Sequence, residues 1–185
     1  MVSEIEAYRG LLRILNESKI DYMIVGSFAA TQHGHIRTTH DLDLVIVLSN
    51  EQVDELVSAL ADDFYVDRES AHEAIERRDM FNAIHFDNGA KVDFFALNSD
   101  DEFKCVQFSR RRCIDFEGVT AWVESPEDTI LSKLRWYGIT PSERQLSDVQ
   151  WILKFQEGRL DWDYLTSWAK RIGVEELLEQ VKKES

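Results

Sequence analysis

At 185 residues the chain has room for one domain, or for one domain with a helical appendage. It is 44% hydrophobic and 11% aromatic, enough for a sizeable core. Its net charge of −14 argues against a nucleic-acid binder working by bulk charge, though it leaves room for a local basic groove. Two separate cysteines without a Cys-x-x-Cys spacing, an acidic start (MVSEIEAYRG) and no apolar run near the ~20 residues of a membrane span speak against a disulfide framework, a zinc site, a signal peptide and a membrane anchor. The expectation is a reduced, cytoplasmic protein.

Ser3, with Glu6 as capping-box partner, predicts a first helix carrying Ile5, Tyr8, Leu12 and Leu15 on one face. Residues 21–25 read as a short strand. Gly26-Ser27 then turns the chain into a short helix, FAATQHG, ending near Gly34. Residues 42–48, LDLVIVL, read as a buried strand. Asn50 is expected to cap a helix with Val53, Leu56, Val57 and Leu60, and a charged helical stretch follows over 72–78. FNAIHFD and KVDFFAL are two strands joined at Asn88-Gly89, with Ala90 allowing a turn longer than two residues. A helix over 101–108 leads to a second hairpin, RCIDF and VTAWV, turning at Glu117-Gly118. Ser125 as cap and Pro126 at the first helical position open a wholly helical remainder: roughly 126–137, 142–155, 161–172 and 174–183. The expected architecture is α+β, a mixed β-sheet flanked by helices with a C-terminal helical tail. The corresponding division is a core over 1–124 and a helical subdomain over 125–185 packed on it.

Three acids carry the chemistry. Asp41 and Asp43 are two apart at a strand's start, so both side chains leave the same face. Carboxylates that close repel unless a cation lies between them, and hard divalent ions bind such oxygen pairs together with substrate phosphates. Alone, the pair also fits two solvated aspartates. Asp93 sits inside KVDFFAL, and if that strand neighbours 42–48 the three acids converge. Three carboxylates holding two metals suit in-line phosphoryl or nucleotidyl displacement. Gly26 permits close backbone approach, and Ser27 adds a hydroxyl and helix-opening amides that attract phosphate. By itself Ser27 reads more readily as a simple helix cap.

Val25-Gly26-Ser27, thirteen residues, then Asp41-Leu42-Asp43-Leu44, then a later strand acid: this resembles the DNA polymerase β-like nucleotidyltransferase superfamily. IRTTHDLDL resembles the Arg-x-Thr-x-Asp-apolar-Asp form of its bacterial minimal and abortive-infection (AbiEii-type) branch. SPEDTILSKLRWYG and RQLSDVQWIL resemble that branch's later helices. The likeness covers roughly residues 20–155. It implies the nucleotidyltransferase fold, Asp41, Asp43 and Asp93 as catalytic and metal-holding residues, and Mg²⁺ or Mn²⁺ as cofactor. The substrate it implies is a nucleoside triphosphate over Gly26-Ser27. The branch also implies an acceptor that is a tRNA end, a protein or a small molecule, and membership of a toxin–antitoxin or phage-defence pair.

Lys133 lies beside the apolar face of its helix. It either reaches the nucleotide, as the branch implies, or pairs with Asp148 of the next helix. Arg37 could contact the triphosphate or pair with an acid of the site; as a loop arginine it reads as readily as a surface residue. His33, His35 and His40 lie near the acids, but their spacing does not put the rings on one face for zinc. Arg110-Arg111-Arg112 reads as a solvated face more readily than as a nucleic-acid grip. A metal-dependent nucleotidyltransferase is the leading reading. The alternative is the same fold without turnover, a nucleotide-binding or partner-neutralising module. An Asp-x-Asp glycosyltransferase explains neither Gly26-Ser27 nor Asp93.

Overall fold

The computed structural model describes residues 2–34, 39 and 41–184. Among these, a seven-stranded mixed sheet is built from β1 (Asp21–Val25), β2 (Asp41–Val47), β3 (Phe64–Val66), β4 (Met80–His85), β5 (Lys91–Ala96), β6 (Arg112–Phe116) and β7 (Val119–Val123). Their order is β3-β4-β5-β2-β1-β7-β6. β2 runs antiparallel to β1 and parallel to β5, while β7 runs parallel to β1. The helices are α1 (Glu4–Glu17), α2 (Gly26–Gln32), α3 (Asn50–Leu60), α4 (Arg68–Arg77), α5 (Glu102–Ser109), α6 (Pro126–Ile139), α7 (Glu143–Phe155), α8 (Trp162–Arg171) and α9 (Glu175–Glu184). The mixed sheet with its C-terminal helices is the α+β architecture expected from the sequence. None of the described helices is long and apolar enough to cross a membrane.

Strand alternation decides where the core sits. Leu42, Leu44 and Ile46 of β2, Val92 and Phe94 of β5, and Phe81 and Ala83 of β4 point to one face. They pack there with Leu11, Leu12 and Leu15 of α1, Leu56 and Leu60 of α3, and Ala71 and Ala74 of α4. Asp41, Asp43, Lys91, Asp93 and Asn82 therefore leave the opposite face. A second cluster joins Ala30 of α2 to Ile130 and Leu134 of α6, Val149 and Ile152 of α7, Leu165 and Trp168 of α8, and Leu178 and Val181 of α9. α2 thus touches both clusters, and it fixes the turn before it against the helical tail.

Local chemistry differs from the sequence reading at five points. α3 is capped by Ser49 rather than Asn50: the Ser49 oxygen accepts from Gln52 N while the Gln52 side chain takes Ser49 N, so Asn50 is already helical. β2 starts one residue earlier, at Asp41 itself. α4 starts at Arg68, capped by Asp67, and β3 is an additional strand of three residues. The Arg110–Arg112 run is ion-paired rather than merely solvated, with Arg112 still 53% exposed. Arg110 reaches Glu127 and Asp128 (3.6 and 3.3 Å), Arg111 reaches Asp21 (2.8 Å) and Arg112 reaches Glu127 (3.1 Å).

Candidate active site

The β2–β5 register sets Asp43 directly beside Asp93, and Asp41 beside Lys91. Parallel neighbours lie about 4.8 Å apart, so the strands bring three acids onto one small area of sheet. Asp93 is buried, Asp43 is half-buried and Asp41, at the strand's start, is exposed. β1 completes the site from the other side: Val25 pairs with Asp43, and the chain then turns at Gly26 with a φ of +66°. A Cβ on Gly26 would stand 2.2 Å from Asp43 Oδ2. Glycine is required here twice over, for the left-handed backbone and for the close approach of the carboxylate. Gly26→Ala is accordingly expected to push the Asp43 carboxylate off its place. Nucleotide affinity should fall by about tenfold or more while the fold persists, as read by nucleotide titration alongside circular dichroism.

The electrostatics of the site are strained. Burial, then the charges of Asp93 and Asp41, push the Asp43 carboxyl up to about 6; Lys133 and Lys91 act in the opposite sense. Lys91 Nζ lies 2.8 Å from Asp93 Oδ2, a contact that holds the ammonium charged and its pKa above the ordinary value. The other oxygen, Asp93 Oδ1, is buried and meets no hydrogen-bond partner among the described residues. Among the described residues no three acidic, histidine or cysteine side chains close into a ready-made metal cage. The donor set nevertheless suits a hard divalent cation. It consists of oxygens only, one of them orphaned in the interior, and a second carboxylate whose charge is penalised by its neighbours.

Lys133 enters from α6. It is 5% exposed, and its Nζ lies 2.6 Å from Asp148 Oδ2 and 3.2 Å from Gln145 Oε1 of α7. Its charge also reaches Asp43. Of the two readings the sequence left open, the pairing with Asp148 is the one seen here, and the lysine also stands in the field of the acids. Ser27 is engaged within the protein. Arg37, His35 and His40 lie outside the described residues. His33 is buried at the end of α2, where Nε2 lies 2.6 Å from the Glu124 carbonyl oxygen, and burial holds its pKa below the ordinary value. It is a tether between α2 and the end of β7.

Two site neighbours escaped the sequence reading. Lys91 lies two residues before Asp93 on the same strand face, so the i, i+2 rule that links Asp41 to Asp43 also points to it. Glu124 gave no such signal. It is fully buried, its Oε1 accepts from Gln107 (3.0 Å) and Ser132 (2.7 Å), and burial pushes its carboxyl up to about 7.

A family described as nucleotidyltransferases of unknown function (DUF6036) matches residues 6–178. No curated protein matches the sequence. Among solved structures, the chain resembles an antigenic nucleotidyltransferase-like protein from Paracoccidioides brasiliensis. That likeness has a TM-score of 0.63 and 18% identity, over 97% of this chain and 92% of that one. ANT(2″)-Ia, in complex with adenylyl-2″-tobramycin, gives 0.56 at 13% identity over 91% and 95%. The lincosamide antibiotic adenylyltransferase LnuA, lincomycin-bound, gives 0.56 at 14% identity over 83% and 98%. At these identities the likeness is one of fold.

Proposed function

The chain belongs to this family of nucleotidyltransferases, and from that premise we propose that it transfers an NMP from an NTP to an acceptor hydroxyl, with a divalent metal ion held by Asp41, Asp43 and Asp93. The observation that carries the reading is the juxtaposition of Asp43 with both Asp93 and the Gly26 turn. Phosphate-binding backbone and paired carboxylates meet at one point of the sheet. Mg²⁺ or Mn²⁺ there would neutralise charge on the triphosphate and act as a Lewis acid toward the α-phosphate.

The chain's own groups have separable tasks. Gly26 lets the main chain approach the phosphates, and Ser27 lines the same turn. Lys133, and in this reading Arg37, add positive charge where the triphosphate lies. The Asp93 carboxylate takes the proton of the acceptor hydroxyl as that oxygen bonds to the α-phosphorus. The α–β phosphoanhydride bond breaks and pyrophosphate leaves. Two of the neighbouring folds belong to proteins whose names record adenylylation of antibiotics, which supports a hydroxylated acceptor. A place in a toxin–antitoxin or defence pair in the cytoplasm is part of the reading through the IRTTHDLDL resemblance, and co-purification with the product of an adjacent gene tests it.

The direct test incubates the full chain with each α-labelled NTP, Mg²⁺ or Mn²⁺ and a cell extract. Label should move to an acceptor with at least one NTP, and Asp41→Ala and Asp93→Ala should abolish it. Nucleotide binding without any transfer would make the protein a nucleotide-binding module, and transfer that survives both substitutions would remove the acids from the chemistry.

A further inference from the structure

The face that carries the acids continues outward across β5, β4 and β3. Two rows of side chains run along it. Tyr65, Ile84, Lys91 and Asp41 are successive partners across the strands, as are Asn82, Asp93 and Asp43. At about 4.8 Å per strand the first row extends about 15 Å from Asp41, the length of a small molecule. On the core side the same strands are covered, with Phe64, Ala83 and His85 buried. On the acid side Tyr65 is 55% and Ile84 40% exposed. Strands buried on one face and apolar but open on the other, next to a reactive centre, form a platform for a ligand body. Asn82 stands between platform and centre. It is half-buried, next to Asp93 in register, and its amide meets no hydrogen-bonding partner among the described residues.

The charge of the surface selects among ligands. Three carboxylates face Lys91 alone along these rows, and Lys91 is already held by Asp93. A polyanion such as RNA would need cations along its backbone, and none stands beyond Lys91 in these rows.

We propose that this open face is the acceptor subsite. Its ligand is a small hydroxyl-bearing molecule without negative charge, lying with an apolar side on Tyr65 and Ile84, with Asn82 orienting the hydroxyl toward Asp93. The assignment rests on the nucleotidyltransferase reading above, and the experiment keeps the two apart. The full chain and the variants Asn82→Ala, Ile84→Lys and Tyr65→Ala are titrated with α,β-methylene NTPs and Mg²⁺. Each is then given α-labelled NTP with an extract separated into small-molecule, RNA and protein fractions. Affinity for the analogues should stay within about twofold for all variants, which also shows that they are folded. Label should enter the small-molecule fraction only, and kcat/KM for that fraction should fall about tenfold or more in Asn82→Ala and Ile84→Lys. Label appearing in RNA or protein, or variants that transfer like the wild type, would overturn the assignment while leaving the nucleotide site standing. If the wild type binds no NTP analogue, the nucleotidyltransferase reading fails, and this inference with it.

Discussion

Asp43→Asn is expected to make the metal-free protein more stable and the enzyme nearly inactive. The native carboxyl is pushed up to about 6 by burial and by Asp93 and Asp41, against an ordinary value near 4. A raised folded-state pKa means that the folded protein binds the proton more tightly than the unfolded chain. Stability from this group is therefore complete below about pH 4, falls as pH rises, and is lost above about pH 6. At pH 7.5 the ionised group costs about 2 kcal/mol, after a discount for its partial exposure. Asparagine removes that cost, so the melting temperature at pH 7.5 should rise by about 5 °C, and the gain should vanish near pH 4. Mg²⁺ or Mn²⁺ should produce a similar rise in the wild type and none in the variant. Transfer activity should fall about a thousandfold, the several kcal/mol that a metal's charge contributes to such a step. Thermal melts at the two pH values, with and without metal, check the whole pattern.

Lys133→Met should be costly for folding. Lys133 and Asp148 are 5% and 0% exposed, and their charges meet at 2.6 Å. Removing the ammonium takes a charged partner from the buried Asp148 carboxylate, a loss of up to about 3–5 kcal/mol, a large part of the 5–15 kcal/mol that holds a domain together. Replacing both partners, Lys133→Met with Asp148→Leu, removes both charges of the pair and should return stability to within about 2 kcal/mol of the wild type. Nucleotide affinity separates structure from function. If Lys133 binds the triphosphate, the double variant is stable and still binds NTP at least about tenfold more weakly, as one lost charge-assisted contact requires. A double variant that binds NTP normally assigns Lys133 to the helix–helix pairing alone. Urea unfolding and nucleotide titration supply the two readouts.

Much of this site was legible in local sequence. The Asp-apolar-Asp pattern at a strand's head, the Gly-Ser turn separated from it by thirteen residues and the later acid within an apolar run are short-range signals, and each fell on the element expected. The hairpin at Glu117-Gly118 was equally local, since both residues adopt a positive φ that suits a tight two-residue turn. What the residues could not give was pairing across distance. Asp43 meets Asp93 fifty positions later only because β2 and β5 run parallel in register, and no periodicity encodes a register. The same limit hid the ionic cluster at the start of α6. Ser125 as cap was readable, but the burial of Glu127 and Asp128 depends on Arg110 and Arg112 from β6 and the turn before it, and on Tyr164 from α8, whose hydroxyl stands 2.5 Å from Asp128. A triple arginine looks solvated until the acids that face it are placed. β3 was missed because three residues are too few to show alternation.

The most direct test of the central claim uses two labels on one nucleotide. The protein is incubated with acceptor extract, Mg²⁺ and the transferred NTP, labelled in one sample at the α-phosphate and in the other at the γ-phosphate. The α-label should move to the acceptor while the γ-label leaves as pyrophosphate, and both events should disappear together in Asp43→Asn and Asp93→Asn. Transfer of the γ-label to the acceptor, or α-label transfer that survives loss of either acid, would contradict nucleotidyl transfer at this site.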